Sequence, residues 1–94
     1  MADTTVGPGR DPLHNCRVCG YYTDFLLWGD DGRTPSYGIC PCCEVEWGYE
    51  DALPEGARAY REAWLAAGAK WADPAEHDGL TTEQRLAHVP PGYE

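Results

Sequence analysis

Two pairs of cysteines constrain the fold of this chain more than any other feature. The motif "CRVC" places Cys16 and Cys19 two residues apart, and "CPCC" repeats the spacing at Cys40 and Cys43. Such a short turn, or knuckle, points both sulfurs at one spot, while its backbone N–H groups can donate to them. The spacing therefore predicts a single four-thiolate metal site, closed by a hairpin formed from the twenty residues between the pairs.

The composition explains why the chain needs such a site. It has 94 residues, with four Trp and six Tyr, but Leu, Ile and Val are scarce, so the apolar core is thin and a metal or a partner must stabilise it. Neither an apolar leader nor a membrane-spanning run is apparent, which predicts a cytoplasmic protein with reduced thiols. Clustered cysteines then indicate a metal site rather than disulfides.

The fifth cysteine, Cys42, is interpreted as a side chain at the tip of the second knuckle that binds no metal. Pairing of Cys40 with Cys42 at C-x-C spacing stays open as an alternative. Four thiolates suit zinc, and they suit a single iron equally well. They leave no open position for substrate or water, and no catalytic base accompanies Cys42, so we expect no enzymatic activity.

The predicted fold is a small α+β domain with short β-hairpins and one amphipathic helix. We expect a flexible tail over residues 1–13, a metal-binding domain over 14–72, and a C-terminal extension over 73–94 with a short helix at 82–89. Strands are predicted on both sides of "GDDGR" and, from period-two alternation, over residues 45–49.

The main helix is predicted over residues 52–68. Asp51 is expected to cap it, Pro54 to lie in its first turn and Gly68 to end it. An apolar stripe at spacings of three and four is expected to pack on the cysteine hairpins. It consists of Ala57, Tyr60, Trp64, Ala67 and Trp71.

The charge narrows the choice of partners. At a formal net charge of −9, phosphate backbones repel the chain, so direct binding to nucleic acid is not expected, whereas a basic protein surface would attract it. The stretch "EVEWGYE" mixes carboxylates with aromatic rings, as protein interfaces do. The candidate interaction surface consists of Glu44, Glu46, Trp47, Tyr49 and Glu50, although the aromatic residues could equally belong to the core.

Three segments, "CRVCGYYT", "YGICPCCEVEWGYED" and "YREAWLAAGAKW", together resemble the bacterial cysteine-rich CPCC family. The resemblance covers about residues 14–72 and implies a zinc-ribbon architecture with Cys16, Cys19, Cys40 and Cys43 as ligands. The knuckles also resemble those of rubredoxin, an iron electron carrier, but Glu44 stands where the second rubredoxin knuckle has glycine.

Three functions are compatible with this sequence. The first is a cytoplasmic structural-zinc protein that serves as an acidic protein-interaction module. A sharper form is an immunity-type or antitoxin-like inhibitor of a basic, nuclease-type partner, which the charge would attract. The third is a rubredoxin-like electron carrier with one iron.

Overall fold

The computed structural model describes residues 12–94. The predicted flexible tail at 1–13 therefore lies outside the described residues, apart from its last two positions. The long helix α1 spans Pro54–Ala66 and the short helix α2 spans Thr82–Leu86, with a 3₁₀ turn at Pro74–Glu76 between them. None of these helices is both long and apolar enough to cross a membrane.

The described residues contain no extended strand. Two isolated antiparallel bridges, Asn15 with Tyr22 and Ile39 with Glu46, replace the predicted hairpins. The alternation seen in the sequence is real as far as Trp47, but Gly48 then adopts φ +123° and the chain turns. The strand predicted over residues 45–49 is therefore wrong, and the fold consists of one main helix packed on a cysteine cluster.

Helix α1 lies within the range predicted from the sequence, but its start differs. Its N-cap is Leu53, which makes no side-chain cap, and Pro54 occupies the first turn. The predicted cap at Asp51 is wrong, because this residue is buried and binds elsewhere. At the other end, Gly68 adopts φ +106° and its N–H donates to the Leu65 carbonyl. This glycine therefore terminates the helix, as predicted.

The C-terminal segment packs on the first knuckle. Thr81 caps α2 through a capping box with Gln84, and α2 ends at Leu86, earlier than the predicted residue 89. Arg85 and Val89 are buried. A Cβ built on Gly20 would lie 2.0 Å from the Arg85 carbonyl oxygen. Residues 73–94 thus cover the cysteine cluster, and their packing is continuous with that of residues 14–72.

Candidate metal centre

The four predicted ligand sulfurs lie together inside the protein. The Sγ atoms of Cys16 and Cys43 are 3.8 Å apart, and those of Cys19 and Cys40 are 3.7 Å apart. All four sulfurs lie within 4.8 Å of one another, and all four residues are buried. Zinc–sulfur bonds of about 2.3 Å in a tetrahedron place sulfurs about 3.8 Å apart. The cluster can therefore hold one metal ion with little movement.

The two knuckles have the same backbone hydrogen bonds, at a shift of 24 residues along the sequence. In each, the N–H of the first cysteine donates to the carbonyl five residues later, and the N–H four residues later donates back to that cysteine's carbonyl. All four bonds measure 2.9 Å. They join Cys16 to Tyr21 and Gly20, and Cys40 to Val45 and Glu44. This local pattern explains why sequence spacing alone could identify the site.

One position differs between the knuckles. Gly20 follows the first pair with φ +86°, and Glu44 follows the second pair with φ +71°. Glycine enters this left-handed region freely, whereas a residue with a Cβ is strained there by about 1–2 kcal/mol. The second knuckle therefore stores strain at Glu44, whose side chain is exposed.

We expect Glu44→Gly to raise the free energy of unfolding by about 0.5–1 kcal/mol, the relieved strain less the entropy that glycine adds to the unfolded chain. Urea unfolding of the metal-loaded protein measures the change. Glu50→Gly is the matched control, since it removes the same charge from an exposed site without positive φ, and it should not stabilise. Equal stabilities for the two variants would contradict the strain at Glu44.

Helix α1 binds the outside of the first knuckle. The Arg61 side chain donates from Nε to the Val18 carbonyl at 2.6 Å and from Nη2 to the Arg17 carbonyl at 3.0 Å. The Arg17 guanidinium lies between two rings, 3.9 Å from the Trp28 centroid and 4.4 Å from that of Tyr93. The turn between the first two cysteines is thereby fixed on both sides.

The second knuckle is held by the helix and by the chain just beyond it. The Tyr60 hydroxyl donates to the Cys43 carbonyl at 3.1 Å. Backbone N–H groups of Ala72 and Asp73 donate to the carbonyls of Cys42 and Pro41, at 3.0 and 2.8 Å. These contacts satisfy the outward carbonyls of the turn, so helix α1 and the chain beyond it hold the second knuckle from outside.

Arginines supply positive charge around the sulfurs. Arg85 is buried and binds Asp78 through two hydrogen bonds of 2.9 and 3.0 Å, while its Nη1 is buried without a hydrogen-bond partner. It acts electrostatically on Cys42 and Cys19, as Arg61 does on Cys16. Four thiolates and one divalent ion would carry a charge of about −2, which Arg61 and Arg85 would offset in part, since Asp78 already balances the charge of Arg85.

The thiols perturb one another strongly. Burial acts to raise the pKa of Cys16, but hydrogen bonds with the other three sulfurs outweigh it and hold that pKa well below its usual value. Burial raises the pKa of Cys19, Cys40 and Cys43. Holding a metal ion would require all four thiols to lose their protons, so the ion would offset the cost of burying their charge.

Two proteins of Bacillus subtilis (strain 168) are similar to this chain. The uncharacterized protein YozI is 31% identical over 80 residues, 68% of this chain and 66% of YozI, slightly under two thirds of its length. The uncharacterized protein YoaQ is 31% identical over 83 residues, 70% of this chain and 69% of YoaQ. The chain belongs to the same family as YoaQ. No family model and no solved structure matches it, so the resemblance to the CPCC family stays a prediction.

Cys42 lies beside the cluster but outside it. Its thiol is buried and is not among the four mutually close sulfurs. A hydrogen bond with Cys19 lowers the pKa of Cys42, burial opposes this, and the charge of Arg85 lowers the pKa further. An attacking thiol needs access to its substrate, which this fully covered side chain does not have.

The predicted interaction surface divides in the structure. Glu44, Tyr49 and Glu50 are exposed and Glu46 is half-buried. Trp47 has 1% of its surface exposed and packs in the core. The prediction that it belongs to an exposed interface is therefore wrong, because its side chain points inward.

The sequence did not indicate that Asp51 is a buried hydrogen-bond acceptor in the core. The Asp51 carboxylate accepts from the Gly48 N–H at 2.8 Å and from Trp28 Nε1 at 3.1 Å. Burial raises the pKa of Asp51, although these two hydrogen bonds act in the opposite direction. Since Trp28 lies 23 residues away, no local pattern could have revealed the contact.

Proposed function

We propose that this chain is a small, cytoplasmic zinc-stabilised module that binds another protein. The observation that carries the proposal is the buried cluster of four sulfurs within 4.8 Å of one another, two of whose distances, 3.8 and 3.7 Å, match those around a tetrahedral ion. Cys16, Cys19, Cys40 and Cys43 would hold the ion, which would join two knuckles that share no strand. A site with four thiolate ligands is typical of structural zinc.

The surroundings of the cluster favour a structural ion over an electron-carrying iron. The four sulfur residues have at most 3% of their surface exposed, and α1 and the C-terminal segment cover the knuckles from outside. An electron carrier exchanges electrons fastest where its metal ligands approach the surface. All five cysteines are free thiols, which suits a reducing compartment.

The surface supports the binding role. The protein carries 16 Asp and Glu against seven Lys and Arg, and Arg17, Arg61 and Arg85 are engaged around the knuckles. Large apolar side chains nevertheless remain exposed on the acidic exterior. They include Tyr22, Phe25, Tyr37, Ile39, Tyr49 and Leu53. Apolar groups rimmed by charge are typical of protein interfaces.

Metal analysis tests the proposal. We expect the purified full-length protein to contain one equivalent of zinc by mass spectrometry, to be colourless, and to lose its folded circular-dichroism signal when a strong chelator removes the ion. A red protein with visible absorption and one equivalent of iron would establish the electron carrier instead. A metal-free protein that melts cooperatively, unchanged by added zinc, would contradict both.

A further inference from the structure

A groove of about 520 Å³ opens beside the two knuckles, away from α1. One wall is the chain that leaves the first knuckle, and the other comes from the second knuckle. Its lining consists of residues 21–25 together with Ile39, Pro41, Trp47 and Glu76. The volume lies within the range of sites that take a side chain or a small ligand.

Apolar side chains that water can reach line this groove. Tyr22, Phe25 and Ile39 have 47%, 46% and 54% of their surface exposed. The Phe25 ring meets Trp47 edge-on, with centroids 5.9 Å apart. Exposure of the apolar Ile39 and Phe25 side chains to water is unfavourable. Burying side chains of this kind under a partner contributes about 1.5–3 kcal/mol each to the binding free energy. The groove is therefore an apolar surface suited to a guest.

The Trp47 ring also has an unused donor. Its Nε1 is buried and has no hydrogen-bond partner, whereas Trp28 Nε1 donates to Asp51 and Trp64 Nε1 donates to the Lys70 carbonyl. A buried donor without an acceptor costs about 1–3 kcal/mol. Because only 1% of Trp47 is exposed, its ring forms the floor of the groove and its Nε1 is out of reach of a guest.

The charges that line the groove favour a positively charged ligand. Asp24 and Glu76 are exposed and belong to its lining, and the nine lining residues include no Lys, Arg or His. Attraction to a cation is reinforced by the net charge of −9. A second copy of this chain would bring the same carboxylates and the same net charge, so self-association through the groove is disfavoured.

The geometry points to this groove as the docking site for a basic segment of a partner protein. One apolar or aromatic side chain of that segment would rest on Phe25 and Ile39 between flanking Lys or Arg residues. The inference rests on the proposed binding function and gives that function a different surface from the exposed residues Glu44, Tyr49 and Glu50. The apolar side chain would contact Phe25 and Ile39, and the cations would face Asp24 and Glu76.

Nuclear magnetic resonance of the zinc-loaded, full-length protein tests the inference with a defined probe. The probe is a pentapeptide with one tryptophan between two pairs of lysines. We expect it to shift the amides of residues 21–25 and 39–41 and the indole N–H of Trp47. A peptide with glutamates in place of the lysines should cause no shift, and one with alanine in place of tryptophan should bind about tenfold more weakly.

A matched pair of variants separates the groove from the general charge. Ile39→Lys places a cation in the groove, and we expect the basic peptide to bind at least tenfold more weakly. Leu53→Lys makes the same chemical change at a residue that is 61% exposed and outside the lining, and it should leave binding unchanged. Zinc content and amide dispersion confirm that both variants stay folded.

Three outcomes would overturn the inference. Shifts at Glu44, Tyr49 and Glu50 instead of the groove would leave the binding module in place but reject this site. Equal shifts with the lysine and glutamate peptides, or none with either, would reject the basic guest. Groove resonances that move with protein concentration alone would identify a second copy as the occupant. Zinc content is measured separately, so failure of the proposed metal site can be distinguished from failure of the docking site.

Discussion

Replacing Cys40 by serine is expected to abolish tight metal binding and to unfold the protein. The Cys40 sulfur lies 3.7 Å from that of Cys19 inside the cluster, and a serine oxygen is a harder and poorer ligand for zinc. Structural zinc contributes about 10–16 kcal/mol in small domains, while a whole domain is stable by about 5–15 kcal/mol. The rest of the core cannot compensate, because the five cysteines themselves form much of it.

Cys42→Ala is the matched control for this variant. Cys42 lies two positions further along the chain and is equally buried, but its sulfur is outside the cluster. We expect this control to keep one equivalent of zinc and to lose only about 1 kcal/mol from the missing sulfur. Zinc content and thermal melting measure both variants. A Cys40→Ser protein with full zinc and a normal melt would refute the ligand assignment, and zinc loss in Cys42→Ala would indicate C-x-C pairing.

The cysteine cluster could be predicted from the sequence because each knuckle is a local structure. Four residues and two backbone hydrogen bonds define the turn, and the same bonds recur at Cys16 and Cys40. Spacing therefore fixes the direction of each pair of sulfurs. That the two pairs lie together could also be predicted, because a four-thiolate site requires both pairs to bind the same ion.

The stretch after the second knuckle shows where local pattern fails. Val45 and Trp47 are buried, as period-two alternation requires, yet no strand forms there. Gly48 leaves the extended region at φ +123°, and its N–H donates to the Asp51 carboxylate. Asp51 has a high intrinsic preference for the N-cap, but the buried hydrogen bond with Trp28 outweighs it. Tertiary contacts, rather than local sequence preference, determine the backbone conformation of this stretch.

The C-terminal segment was the least predictable part, because its contacts are distant in sequence. Arg85 reads as a solvated residue of a short helix, but it is buried against Asp78 and the Trp71 ring. Tyr93 covers Arg17, which lies 76 positions earlier. Neither residue type is enriched in cores. Only the packed structure shows that these side chains belong to the surroundings of the metal centre.

The packing of this segment predicts a large effect at Gly20. In Gly20→Ala the new Cβ would lie 2.0 Å from the Arg85 carbonyl oxygen and 3.2 Å from the Val89 nitrogen. Both are backbone atoms that cannot rotate away, so α2 must leave the first knuckle. Strain at φ +86° adds about 1 kcal/mol. We expect a total loss of about 3 kcal/mol or more in the free energy of unfolding.

Gly79→Ala isolates the contribution of packing from that of strain. Gly79 has nearly the same backbone angle, φ +83°, but a Cβ there would meet no atom within 4 Å. This control should cost only the strain, about 1 kcal/mol. Hydrogen exchange then locates the difference: Gly20→Ala should lose protection in α2 while it keeps zinc, since no ligand is altered. Equal destabilisation of the two variants would mean that the C-terminal segment does not pack on the first knuckle in solution. Arg85 would then lie too far from the cluster to offset the charge of its thiolates.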